Sequence, residues 1–254
     1  MGHLSFLPKD IKFEGKCLSL HFTILFSTFF FIPVISHAQY EQLWLEYRPT
    51  YNFKNDYKAA MRASYRTNFY DPRWYALEGR FMPEKKLNSH FDVLAGIQFV
   101  ETKFTENIET FESRLIVGGR WRFTPNKRID WGFYPRLEYR NIQSQHSEYE
   151  IKMSRLRLRL YANIPLNQLN LTSQHVCYAI TNIEFFILEN ENLKDFYTNR
   201  LWLWLGLGYK LNNSLKIEVV YNYQETQIPI GSDKIIGFNI FRLIIRHTLS
   251  YKDN

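Results

Sequence analysis

The sequence predicts an all-β protein, a transmembrane antiparallel up-and-down β-barrel of about 10–12 strands. Three observations favour this class. A strand-like alternation recurs along the chain, its segments have roughly the ten residues that a tilted strand needs to cross a bilayer, and aromatic residues gather near the segment ends. The chain has 254 residues, of which 17% are aromatic and 22% are charged, and this composition excludes a disordered chain.

Residues 1–38 have the features of a secretory signal peptide. Lys16 and two earlier lysines precede an apolar stretch, and Ala38 supplies the small residue of a cleavage site. We therefore expect cleavage after Ala38 and an outer-membrane β-barrel domain over residues 39–254. The alternative is an uncleaved anchor, because about 18 apolar residues can just span a bilayer.

The clearest strand pattern is "SRLRLRLYANIP", residues 154–165. Arg155, Arg157 and Arg159 stand at every second position with leucines between them, so one face of the strand is cationic and the other is apolar. An arginine that faced lipid near the bilayer midplane would cost about 2–4 kcal/mol. We expect the leucines to face lipid and the arginines to face the lumen.

Similar alternation marks about eleven segments, whereas bacterial barrels of this kind have even strand numbers. We therefore expect 10 or 12 strands, with either one segment outside the barrel or one additional strand within residues 168–188. The connections differ in length on the two sides, as in outer-membrane barrels. Those predicted to be short are "TPNKR", "NIPLNQ" and "KLNN", and those predicted to be long are "ETKFTENIE", "QSQHSEYE", "ENENLKDFY" and "QETQIPIGSDK".

A soluble β-sandwich is the alternative fold, because its strands also alternate. A sandwich rarely contains so many consecutive long strands with Arg, Glu and Trp crowded on the polar face. The apolar faces of eleven strands would also need a partner surface, and a bilayer supplies one without additional sequence. The barrel is therefore the preferred prediction.

The strand pattern resembles the DUF2490 family of predicted outer-membrane β-barrel proteins. The pieces that carry the resemblance are "QLWLEYRPTY", "LIVGGRWRF", "YPRLEYR" followed by "SRLRLRLY", "TNIEFF" and "NRLWLWLGLGYKL". They extend over almost all of the expected mature chain. The resemblance implies a barrel in the outer membrane of a Gram-negative bacterium, and it implies no activity for any residue.

The sequence favours a protein that is not an enzyme. Ser173 and His175 are two residues apart and are predicted to share one face of a strand, but no acidic or amide residue is identifiable that would orient the histidine. The alternative is an outer-membrane lipid-modifying enzyme, of lipase or deacylase type, with a site near these two residues. No metal-ligand spacing occurs among the histidines, and no cofactor is predicted.

The polar strand faces carry the candidate functional site, a cluster of lumen charges. Its predicted members are Arg114, Arg120, Arg122, Arg136, Glu138, Arg140, Arg155, Arg157, Arg159, Glu184 and Arg200. One interpretation is a structural, salt-bridged filling of a narrow barrel. The other is a narrow path or binding site for a small anionic solute, because arginines outnumber carboxylates.

The net charge of +7 does not indicate nucleic acid as a partner, because the basic residues are interleaved with carboxylates. The expected partner is outer-membrane lipid, with a small anionic solute as a second. We expect a monomer located in the bacterial outer membrane.

Overall fold

The computed structural model describes residues 40–71, 73–105, 108–125, 127–144, 150–188, 198–227 and 235–250, and the predicted signal peptide lies outside these ranges. The described residues form eleven β-strands that close into a barrel. The strands are β1 (Tyr40–Asn52), β2 (Tyr57–Asn68), β3 (Tyr75–Lys86), β4 (Phe91–Thr105), β5 (Ile108–Arg122), β6 (Asp130–Ser144), β7 (Glu150–Pro165), β8 (Val176–Leu188), β9 (Thr198–Lys210), β10 (Leu215–Gln227) and β11 (Ile235–Ser250). The predicted all-β barrel is confirmed. Within these ranges, no helix is long and apolar enough to span a membrane.

The barrel closes through a parallel pair of strands. Each strand pairs with the next along the chain in antiparallel fashion, and β1 then pairs with β11 in parallel, from Tyr40 opposite Phe238 to Asn52 opposite Ser250. The expectation of an even strand number is wrong. With an odd number of strands, the first and the last strand run in the same direction. A parallel ladder between them can still provide hydrogen-bond partners for the backbone groups of both edge strands.

The strand connections define two ends of the barrel. We call the end with the β1–β2, β3–β4, β5–β6, β7–β8 and β9–β10 connections the turn end, and the opposite end the loop end. "ETKFTENIE" was wrongly predicted to be a long loop, because β4 continues to Thr105 and β5 begins at Ile108. The prediction of a short connection at "NIPLNQ" is also wrong, because β7 ends at Pro165 and β8 begins only at Val176. No strand in addition to β8 occurs within 168–188.

Side chains alternate between the lumen and the outer surface along every strand, as the two-residue period requires. In β6, Arg140 points inward and has 0% exposure, whereas Leu137 points outward and is 48% exposed. Leu137 lies beside Val117 of β5 and Leu156 of β7. The outer surface is therefore apolar and the interior is charged, the reverse of a soluble barrel.

Aromatic side chains on the outer surface gather near both ends. At the turn end, the ring of Phe123 lies 4.6 Å from that of Trp131 and 5.6 Å from that of Trp121. At the loop end, Phe99 stacks on Phe111 at 5.9 Å between ring centroids. Between these rings, the outer surface of β4 to β6 carries exposed aliphatic side chains, among them Ile97, Leu115 and Leu137.

One part of the interior is apolar and is built around tryptophans. Trp44 packs edge-on against Trp202, with 6.0 Å between ring centroids, and Val220, Ile240 and Ile244 complete this side of the lumen. The nearby glycine at 208 is required by close packing, since a Cβ there would overlap the ring of Tyr178. Neighbouring strands β8 to β11 and β1 thus supply an apolar cluster on one side of the lumen.

Candidate functional site

The candidate site is the charged interior of the barrel. The structure brings all but one of the sequence-predicted site residues to the lumen: Arg114, Arg120, Arg122, Arg136, Glu138, Arg140, Arg155, Arg157, Arg159 and Glu184. The backbone of Arg200 belongs to β9, but its side chain lies outside the described part of the chain.

Glu184 is the centre of the interior ion pairs. Its carboxylate accepts hydrogen bonds from Arg136 at 2.6 Å, from Arg157 at 3.0 Å and from Arg159 at 2.9 Å. The Glu184 side chain has no exposed surface. Charge-assisted bonds of this kind are strong, and in a dry interior they are screened little by salt.

Arg157 connects Glu184 to a second buried carboxylate. Its Nη1 donates to Glu138 at 2.7 Å, and Arg155 Nη2 donates to the other oxygen of Glu138 at 2.6 Å. These arginines come from β7, in the alternating stretch that predicts them on one face. The neighbouring strands β6 and β8 supply the carboxylates at matching heights, so the network spans three strands.

Further carboxylates repeat this arrangement around the wall. Glu112 accepts from Arg140 Nε at 2.5 Å and from Arg114 Nη2 at 2.7 Å. Glu46 of β1 accepts from Arg48 Nε at 2.7 Å and from Arg242 Nε at 2.8 Å. The bond between Glu46 and Arg242 crosses the parallel β1–β11 seam, next to the backbone ladder that joins the two strands.

Several of the ion-paired arginines also stack on aromatic rings. The guanidinium of Arg242 lies 4.1 Å from the ring centroid of Trp204, and that of Arg66 lies 4.0 Å from the ring centroid of Trp44. Arg159 lies 4.6 Å from Trp204 on the same side. Stacking on an aromatic ring stabilises a cation that has left water.

We call the ion pairs of Glu46, Glu112, Glu138 and Glu184 the sealing layer. The four carboxylate side chains are 0–4% exposed, and Arg136, Arg140 and Arg242 are at most 1% exposed as residues. Side chains with almost no accessible surface leave no water between them. The ion-paired side chains of the sealing layer are therefore packed against one another in the central part of the lumen.

A cavity lies between the sealing layer and the turn end, and we call it the vestibule. Its volume is about 870 Å³. Arg80, Tyr134, Arg159 and Trp204 line its deep part, and the β7–β8 connection contributes Leu171 and other residues near its mouth. Cations outnumber carboxylates along its wall, so the vestibule carries a positive potential.

The prediction that Ser173 and His175 share one face of a strand is wrong. Both residues lie in the connection before β8, where His175 has a positive φ of 54°, and they do not share a strand face. Ser173 Oγ donates to Asn170 Oδ1 at 3.2 Å, whereas the His175 ring bonds the hydroxyl of Tyr209 at 3.2 Å. The two side chains thus serve different local contacts.

At the loop end, the described residues of the β2–β3 connection carry a surface ion pair. Arg73 Nε donates to Asp71 Oδ1 at 3.0 Å, and this hydrogen bonding holds the pKa of Asp71 below its ordinary value. An exposed pair of this kind contributes little to stability. No group of three or more His, Cys, Asp or Glu residues suited to a metal ion occurs in the described part.

The predicted cluster omits lumen charges on β1–β4 and β10–β11. Glu78 of β3 pairs with Arg62 and Arg66 of β2, and Asp92 of β4 pairs with Arg122. The same alternation of polar and apolar residues could have identified these charges from the sequence, because it also occurs in these strands. Pairing of β1 with β11 brings the first and the last strands of the chain together. The spacing of residues within one strand cannot predict this proximity.

Comparison with known protein families gives one match. The sequence profile described as "Protein of unknown function (DUF2490)" matches residues 41–234. The match extends from β1 to the segment before β11 and includes the strands of the sealing layer except β11. No curated protein matches the chain.

Proposed function

We propose that this chain, which belongs to the DUF2490 family of proteins of unknown function, is an integral outer-membrane β-barrel protein with a sealed, charged lumen. The observation that carries the proposal is the outward-facing apolar surface. Leu115, Val117 and Leu137 lie mid-strand and are 59%, 51% and 48% exposed. Soluble monomers rarely expose large continuous apolar areas, whereas a bilayer covers such a surface.

The aromatic rings near both ends support the same location. In outer-membrane barrels, aromatic girdles lie at the two lipid–water interfaces and flank an apolar band. The pairs Phe123–Trp131 at the turn end and Phe99–Phe111 at the loop end match this arrangement. The long loops are expected to face the outside of the cell and the short turns the periplasm.

Fractionation of cells that produce the full chain tests the location. We expect the mature protein, without residues 1–38, in the outer-membrane fraction after carbonate washing. A folded barrel should also migrate differently on a gel before and after boiling. A protein that carbonate releases, with the same mobility in both samples, would contradict the proposal.

We propose that the lumen is primarily structural and conducts little. The buried ion pairs of Glu138 and Glu184 support this, and arginines outnumber carboxylates among them. In a planar bilayer we expect low or no steady conductance from the purified protein, with anion preference in any current that occurs. Large, cation-selective channels would contradict both the packing of side chains in the lumen and the positive sign of the lumen charge.

We also propose that the barrel has no lipid-modifying activity. The different partners of Ser173 and His175 support this, because a serine nucleophile needs a base within hydrogen-bond reach. The purified barrel, incubated with phospholipid and lipopolysaccharide, should release no product. A product that the His175→Ala variant fails to form would favour the enzyme instead.

A further inference from the structure

The vestibule differs from the sealing layer because some of its cations lack carboxylate partners. Arg80 of β3 and Lys216 of β10 line the cavity, and neither forms an ion pair with any residue that the structure describes. The Nε of Arg80 is buried and has no hydrogen-bond partner within the described ranges. Glu218 and Asp130, which also line the cavity, interact electrostatically with Lys216 without forming an ion pair with it. A partly buried cation that binds no carboxylate is costly, so an anion in the cavity would stabilise both Arg80 and Lys216.

A third unpaired donor lies in the deep part of the vestibule. Trp204 is 4% exposed, and its indole Nε1 has no hydrogen-bond partner among the described residues. Buried polar atoms are normally satisfied by protein, water or ligand. Tyr134 of β6 and Tyr161 of β7 add phenolic groups to the lining of the same cavity.

The mouth of the vestibule is narrowed by an organised strap, residues 166–175. Lys210 Nζ donates to the backbone oxygen of Thr172 at 2.6 Å and to that of Leu171 at 3.3 Å. Asn167 fixes the other side of the strap, because its Oδ1 accepts from the backbone N–H of Cys177 at 2.8 Å and its Nδ2 donates to the His175 carbonyl at 2.9 Å. The strap gives the cavity a defined entrance.

These features have the form of a small-molecule site. The volume of about 870 Å³ falls within the roughly 300–1,000 Å³ that is typical of ligand pockets. The buried, ion-paired side chains of the sealing layer lie at the inner end, so a solute that entered from the turn end would meet them there. A monovalent anion would satisfy only one of the separated cations, on β3 or on β10, whereas an extended anion could reach both.

We propose that the vestibule is a binding pocket for a small multivalent anion that carries several carboxylate or phosphate groups. Arg80 and Lys216 bind separate anionic groups of the ligand. The Trp204 indole and the two tyrosine hydroxyls donate hydrogen bonds to it. This inference goes beyond the proposed function, because it assigns a ligand class to one end of the barrel and does not depend on the membrane location.

Calorimetric titration of the refolded full-length barrel in neutral detergent tests the pocket. The probes are tripolyphosphate and citrate, with inorganic phosphate and chloride as weak competitors at constant ionic strength. We expect at least one of the two multivalent probes to bind, at least about tenfold more tightly than inorganic phosphate. The preferred probe identifies the ligand groups as phosphate or carboxylate.

Competition with dihexanoylphosphatidic acid separates a free anion from a lipid headgroup. Efficient displacement of the bound probe would assign the pocket to a phosphate headgroup, whereas no displacement would assign it to a free anion. Failure of both tripolyphosphate and citrate to bind at millimolar concentration would overturn the inference. That failure would leave the fractionation result unaffected, so the two proposals can fail separately.

Variants connect binding to the named residues. Arg80→Gln and Lys216→Gln should each weaken binding of the preferred probe by at least about tenfold, because each removes one charge contact. Lys152→Gln is the matched control, since Lys152 lies at the loop end and is exposed. It removes the same charge and should change the affinity less than about twofold.

The thermal midpoint of the boiling-dependent mobility shift shows whether each variant folds. Because Arg80 and Lys216 have no carboxylate partner among the described residues, their replacement should leave the midpoint of the ligand-free barrel unchanged or raise it. The bound probe should raise the midpoint of the natural barrel and not that of the double variant. Unchanged probe affinity in a correctly folded double variant would overturn the assignment.

Discussion

Replacement of Glu184 by glutamine is expected to lower the free energy of unfolding by about 3–5 kcal/mol. Glu184 has no exposed side-chain surface and accepts bonds from Arg136, Arg157 and Arg159. The amide has nearly the same shape, so packing is preserved and the charge is lost. Arg157 would keep its bond to Glu138, whereas Arg136 and Arg159 would lose the carboxylate that they bind, and an uncompensated buried charge is strongly destabilising.

Urea titration of the refolded barrel, followed by tryptophan fluorescence, measures this effect. Trp202 and Trp204 report on it directly, because Arg157 and Arg159 stack on their rings. Glu150→Gln is the matched control, since Glu150 pairs with Lys152 on the surface and their side chains are 40% and 54% exposed. That variant should change stability by at most about 1 kcal/mol. Equal effects of the two variants would show that the sealing layer is not a stabilising network.

Replacement of Leu137 by arginine should reduce membrane insertion strongly. Leu137 lies at the middle of β6, points outward and is flanked by Val117 and Leu156 on the neighbouring strands. An arginine at the bilayer midplane costs about 2–4 kcal/mol. If the barrel were soluble, the same change on an exposed position would be harmless or would improve solubility.

Both variants are refolded from urea into lipid vesicles. The measured quantity is the yield of protein whose gel mobility changes on boiling. Leu169→Arg is the control, because Leu169 is 80% exposed in the strap at the turn end, outside the apolar band. We expect a normal yield from the control and a large loss from Leu137→Arg. Normal insertion of both variants would contradict the assignment of this surface to lipid.

The sequence determines the strand faces because the side-chain period of a strand is two. The alternation of arginine and leucine in 154–165 predicts that Arg155, Arg157 and Arg159 share one face, and the structure places all three inside the barrel. Local spacing is sufficient here, since a shift of one residue would move every arginine to the apolar surface. The same reasoning identifies the barrel class from the recurrence of such segments.

Local spacing does not determine the ends of strands or the residues of a connection. The interpretation of Ser173 and His175 as neighbours on a strand was wrong because the chain turns at that point. His175 adopts a positive φ, and Asn167 and Lys210 hold the segment through bonds to its backbone. These partners come from the other end of the connection and from another strand. Their contribution is visible only after the barrel has closed.

The sequence by itself therefore determined the all-β class, the inward and outward faces and most of the charged cluster. The tertiary structure alone decided the strand number, the parallel β1–β11 closure and the pairing of each carboxylate with its arginines. It also decided that the charges divide into a sealing layer and a vestibule, where Arg80 and Lys216 lack carboxylate partners among the described residues. The physical reason is that alternation depends on neighbours along one strand, whereas closure and ion pairing depend on the relative heights of strands far apart in the chain.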